Sequence, residues 1–313
     1  MKEKKTFHTF LPKEICHLIE ELNLKEDDIQ EIRMSVGQPL MLKVNGKEKI
    51  VRMQGGITER YQEAFLVSEE TLKETFSFIC KHSVYAYEDE IRQGFLTIEG
   101  GHRIGLVGQA VTEQERVKNI KYISGLNIRL ASERIGCGEK IIEKIADRYH
   151  IFNTLIVAPP CAGKTTLLRD CIRLLSNGRK GIEGVRIGVA DERGELAACY
   201  HGIPQNNIGV RTDVLDRVPK DIGILMLIRS MAPRVVAVDE IGSESDMSAL
   251  KNACLSGCSI LATIHGTSPY DIYEKTVFEH LKAGNMFQRY VVLRSDTIGK
   301  IKGIYDENMK LID

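Results

Sequence analysis

Residues 155–170 read LIVAPPCAGKTTLLRD, and few strings of that length restrict a fold as tightly. The part from Ala158 to Thr166 fits the phosphate-loop pattern [AG]-x(4)-G-K-[ST], with Ala158 first and Gly163, Lys164 and Thr165 closing it. The pattern has its chemical meaning only between a buried strand and a helix. Here an apolar run precedes it, and Leu167, Leu168, Ile172 and Leu175 follow at helical spacing. Gly163 lets the backbone pass close to phosphate oxygens, and the amides of Cys161, Ala162, Gly163, Lys164, Thr165 and Thr166 can converge where a helix dipole favours an anion. Pro159 and Pro160 have no N–H and shape the loop instead. Lys164 is expected to neutralise the β- and γ-phosphates of ATP, and the Thr165 hydroxyl to ligate Mg²⁺.

The C-terminal part repeats strand–helix alternation. Apolar runs at residues 152–158, 184–190, 234–240 and 258–265 are short and continuous, as in strands buried on both faces of a parallel sheet. Helices are expected over 164–175, 221–231 and 243–255, the last opened by a Ser243/Asp246 capping pattern and stopped by Gly257. The fold class is therefore α/β, a P-loop NTPase domain with a mostly parallel sheet over residues 135–313. Residues 1–134 read as a smaller α+β domain. It has a helix after Pro12, a hairpin turning at Gly37–Gln38, a helix capped by Ser68, and a second hairpin across Gly100–Gly101. The polar stretch TEQERVKNIK (112–121) reads as a mobile loop before the strand-like YISGLNIRLAS.

Three of the apolar runs end in ionisable residues, on the side where open α/β sheets bind ligands. VVAVDE ends in Asp239, suited to the Mg²⁺ shell, and Glu240, suited to polarising an attacking water. ADERGE carries Asp191, Glu192 and Glu195, with Glu192 the candidate for a catalytic role. LATIHG ends in His265, placed to sense the γ-phosphate. Cys161, at a helix start beside Lys164, is expected to react with thiol reagents and to be protected by ATP.

Composition narrows the partners. Lys+Arg and Asp+Glu balance at 43 each, and apart from the KEKK block near the N-terminus no basic run suggests nucleic acid. There is no signal-peptide core and no apolar stretch of spanning length, since Ile222–Met231 is short and broken by Arg229. Scattered cysteines without a CxxC pair suit a reducing compartment, and Cys254 and Cys258 have no second pair with which to bind zinc. A cytoplasmic location follows as the expectation, with any membrane association peripheral and through partners.

APPCAGKTT, ADERGE, LIRSMAPRVVAVDEIGSESD and GCSILATIHG, in this order, resemble the four nucleotide-site elements of the secretion-type ATPases of type II secretion and type IV pilus assembly. Together with EIRMSVGQPLML, GGHRIGLVGQAV and NIRLASE in the first half, the chain is similar to the compact sporulation branch of that superfamily, over residues 15–305. The resemblance implies a RecA-like motor domain, a homohexamer with ATP between subunits, and a role in energising a channel of integral membrane proteins between mother cell and forespore. It also implies an arginine reaching the nucleotide from the N-terminal domain, with Arg103 and Arg129 as candidates. Two features depart from the larger enzymes: the tetracysteine zinc insertion is absent, and Asp239–Glu240 stands in place of a Gly-Glu pair. A nucleic-acid-stimulated ATPase and a nucleotide-gated scaffold with little turnover are the alternative readings.

Overall fold

The computed structural model describes residues 7–25, 28–113, 115–131, 133–271 and 286–313; the KEKK block lies outside them. The chain forms two compact units, Met1–Ser132 and Glu133–Asp313.

In the first unit, helix α1 (Lys13–Glu20) starts directly after Pro12 and buries Ile15, Cys16, Leu18 and Ile19. A sheet is built from β1 (Ile29–Ser35), β2 (Met41–Val44), β3 (Lys47–Val51) and β4 (Ile57–Thr58). After α2 (Glu69–Ile79) and α3 (Glu88–Arg92), the strands β5 (Phe95–Thr97), β6 (Arg103–Glu113) and β7 (Arg116–Arg129) complete it. Its order is β4-β3-β2-β1-β7-β6-β5, every pair antiparallel. Ser68 caps α2 as expected, accepting the Thr71 amide at 3.0 Å.

Apart from Gln114, which lies outside the described residues, the stretch expected to be a mobile loop is instead the far end of the β6–β7 hairpin, with Val111 opposite Asn119 and Thr112 opposite Val117. Along β6 from Val107 to Glu113 no side chain is buried, so nothing there demands an apolar pattern and the composition resembles a loop's. Ladder hydrogen bonds and a 2.7 Å Lys118–Glu113 ion pair hold it as strand. Arg103 and Arg129 face each other on neighbouring strands, and the Arg103 guanidinium lies 4.0 Å above the Phe95 ring.

The second unit opens with α4 (Glu139–Ile145) and continues as β8 (Thr154–Ala158), α5 (Lys164–Asn177), β9 (Ile187–Asp191) and β10 (Thr212–Asp216). Then come α6 (Lys220–Met231), β11 (Val235–Val238), α7 (Glu244–Leu255) and β12 (Ser259–His265), followed by β13 (Arg289–Leu293) and β14 (Ile301–Asp306). The sheet order is β10-β9-β11-β12-β8-β13-β14, parallel except for the β13–β14 pair. Successive residues of β8 enter opposite cores, Ile156 and Ala158 beside α5, Leu155 and Val157 beside α6 and α7. Burial on both faces explains why these strands read as unbroken apolar runs. The Ser243/Asp246 capping box at α7 forms as expected. β10, β13 and β14 escaped the sequence reading. β10 is only half-buried and carries Asp213 and Asp216, so it has no apolar run to detect.

Candidate functional site

The order β9-β11-β12-β8 brings four strand ends together at the carboxyl edge of the sheet. His265 at the end of β12 is level with Ala158 at the end of β8, while Val238 of β11 is level with Ala262 of β12 and Ala190 of β9. The chain leaves β8 into the loop 159–163 and enters α5 at Lys164. Gly163 has φ +94°, a left-handed backbone that glycine adopts without strain, while a β-carbon there would make only ordinary contact, 3.4 Å, with the Gly299 amide of the β13–β14 turn. That turn is tied to the loop by the Gly299 N–H, which donates to the Ala162 carbonyl at 2.9 Å. Helix α5 begins with no side-chain cap, and its first amides are the arrangement that accepts an anion.

Five of the residues singled out from sequence meet here. The Lys164 ammonium, with 7% of its side chain exposed, donates to Glu240 Oε1 at 2.5 Å. The Thr165 hydroxyl donates to Asp239 Oδ2 at 2.6 Å. His265 Nε2 lies 3.1 Å from the same Glu240 Oε1. Burying an ammonium or a carboxylate alone costs several kcal/mol, so Lys164 and Glu240 are tolerated there as a pair. Burial pushes the Glu240 carboxyl up. The Lys164 hydrogen bond and the charges of Lys164, Arg193 and His265 outweigh that and hold it below the usual carboxylate range, hence ionised.

Other participants were not singled out in advance. Thr263, fully buried on β12, accepts the Glu240 amide at 2.8 Å and donates its hydroxyl to Asp239. It thereby holds Glu240 in a left-handed conformation, φ +52°. Arg193 donates to Glu240 Oε2. Only the position of Thr263 two residues before His265 marked it in the sequence; Arg193 sat inside the ADERGE string without a role.

Asp191, Glu192 and Glu195 separate in function. Asp191 is buried and accepts three backbone amides, Glu195 at 3.0 Å, Leu196 at 3.0 Å and Ala197 at 2.8 Å. Burial nevertheless raises its pKa, with those amides opposing. Its part is to fold the turn that follows β9. Arg169 of α5 ties that turn to the phosphate-loop helix, donating to the Leu196 carbonyl at 2.8 Å and the Glu195 carbonyl at 2.6 Å. Glu192 pairs with Lys220 and, with Arg193, Asp239 and Glu240, lines a small pocket. Cys161 is exposed, with φ +61°.

Thr165 and Asp239 present oxygen donors side by side, the chemistry Mg²⁺ selects. Among the described residues no group of three or more His, Cys, Asp or Glu side chains could hold a metal ion. Two such oxygens leave most of an octahedral shell to phosphate oxygens and water, and the residues present fit a Mg²⁺ ion bound in that way. No helix among the described residues is long and apolar enough to cross a membrane.

The chain resembles the X-ray structure of the ATPase DotB from Legionella pneumophila, with TM-score 0.57 and 17% identity over 93% of this chain and 78% of that one. It also resembles the pilus retraction motor PilT with bound ADP, with TM-score 0.58 and 15% identity over 88% and 77% of the two chains. At such identities the likeness concerns the fold, which is RecA-like in the second unit. In sequence, the chain is 38% identical to stage III sporulation protein AA of Bacillus subtilis (strain 168) over 282 residues, covering 90% of this chain and 88% of the relative. The family model for sporulation stage III, protein AA matches residues 1–312, and the chain belongs to that family.

Proposed function

We propose that this chain is a Mg²⁺-dependent ATPase whose hydrolysis site is the cluster around Lys164, Thr165, Asp239, Glu240 and His265. The observation that carries the reading is the meeting of the phosphate-loop Lys164 and Thr165 with Glu240 and Asp239, at 2.5 and 2.6 Å, at the ends of neighbouring strands. Lys164 and the loop amides bind the phosphate tail. Thr165 and Asp239 would hold Mg²⁺, which neutralises phosphate charge when bound. A phosphate drawing Lys164 to itself releases Oε1 of Glu240, whose ionised carboxylate can then orient a water and accept its proton. His265, against the same oxygen, is placed to register whether that carboxylate is engaged.

The wider role is inferred from the family and the fold together: a homohexameric motor acting on membrane-embedded partners during endospore formation, from the cytoplasmic face. In such a ring Arg103 or Arg129 of one subunit would serve the nucleotide of the next. The direct test is ATP turnover by the purified full-length chain. Lys164→Ala is expected to abolish nucleotide binding and turnover, and Glu240→Gln to keep binding while lowering turnover by a factor of about 100 or more. Undiminished turnover in either variant would refute the assignment.

A further inference from the structure

We propose that Arg193 is a γ-phosphate-binding residue of this site, the group by which it separates a nucleoside triphosphate from a diphosphate. The inference rests on the ATPase reading above and adds a residue to it.

The two oxygens of Glu240 collect an unusual set of donors. Oε1 takes Lys164 at 2.5 Å and His265 at 3.1 Å, and Oε2 takes Arg193. Two permanent cations and an imidazole thus converge on the two oxygens of one carboxylate, with the Asp239 carboxylate lining the same pocket. A terminal phosphoryl group carries more charge and three oxygens, and it matches the set better. Lys164 belongs to the phosphate loop, and Arg193 reaches the same carboxylate from its other oxygen. Lys164 and Arg193 are thus bridged by a single carboxylate, a span that one phosphoryl group can also bridge.

The backbone carrying Arg193 is fixed, while its side chain has freedom to move. The turn is held from inside by Asp191, which accepts the amides of Glu195, Leu196 and Ala197. From α5 it is held by Arg169. The side chain itself is 63% exposed, so exchanging Glu240 for a phosphate requires little repacking. A planar guanidinium suits that exchange, since its fork matches carboxylate and phosphoryl oxygens alike. The neighbouring Glu192 is engaged by Lys220 instead.

The experiment is equilibrium binding of Mg²⁺ with AMP-PNP or ADP to the full-length chain by calorimetry. Arg193→Ala is expected to weaken AMP-PNP about 10- to 100-fold, the loss of one charge-assisted hydrogen bond, while ADP affinity changes by less than about 2-fold. Retained ADP binding shows that the variant is folded. Arg193→Lys should fall between, keeping the charge without the fork. The same loss of AMP-PNP affinity should appear when Arg193→Ala is made in the Glu240→Gln background, where the carboxylate is no longer present to be restrained. Equal weakening of both nucleotides, unchanged AMP-PNP affinity, or an effect that vanishes with Glu240→Gln would each overturn the proposal. Failure of the unaltered chain to bind either nucleotide would overturn the ATPase reading as well.

Discussion

Asp216 is held in the fold at a cost, and Asp216→Asn should remove it. The residue ends β10, on the same rung as Asp191 at the end of β9. Its side chain is 18% exposed, and Oδ1 is a buried atom with no hydrogen-bond partner among the described residues. Burial pushes the carboxyl from its ordinary 3.8 up to about 6; Asp191 adds to the rise, and Arg217, 3.7 Å away, works against it. A folded-state value above the unfolded one means the native state holds its proton more tightly. Stability from this group is therefore complete below about pH 4 and lost as the pH rises to about 6, at 1.36 kcal/mol per pH unit. Over that span the loss is about 3 kcal/mol, with the opposing charge of Arg217 already contained in the raised value. Asparagine has nearly the same shape and never ionises. Asp216→Asn should therefore be more stable than the unaltered chain by about 2–3 kcal/mol at pH 8, with the gap closing toward pH 4. The assay is urea unfolding followed by circular dichroism at several pH values, with midpoints compared at constant m. A variant less stable at pH 8, or a difference independent of pH, would refute the reasoning.

Two further outcomes follow from the site. Thr263→Val keeps the shape of a fully buried side chain but strands the Glu240 amide and removes a donor from Asp239. It should cost about 2–4 kcal/mol in urea unfolding and lower ATP turnover together; unchanged stability would show that Thr263 holds nothing. Of the eight cysteines only Cys161 is exposed, while burial pushes the Cys80 and Cys199 thiols up to about 12 and that of Cys137 to about 11. A maleimide should therefore label Cys161 first by mass spectrometry and block nucleotide binding, with ATP protecting; labelling indifferent to ATP would remove Cys161 from the binding loop.

Local pattern alone made much of this molecule legible. The strands β8, β9, β11 and β12 were readable because a strand covered on both faces must be apolar along its whole length. Lys164, Thr165, Asp239, Glu240 and His265 were readable because each stands at the end of such a strand or at the helix start beyond it. The distal β6–β7 hairpin was not, since its stability comes from cross-strand bonds that leave no apolar trace. Which strand ends become neighbours is a matter of sheet order, and no residue pattern encodes it. That order separated Asp191, consumed in folding its own turn, from Arg193, turned onto Glu240. It also placed Thr263 between Asp239 and Glu240. Chemistry borne by side chains at fixed spacing was thus determined by the sequence, whereas the partner each charge meets depends on contacts between residues distant along the chain, and only the tertiary structure decided it.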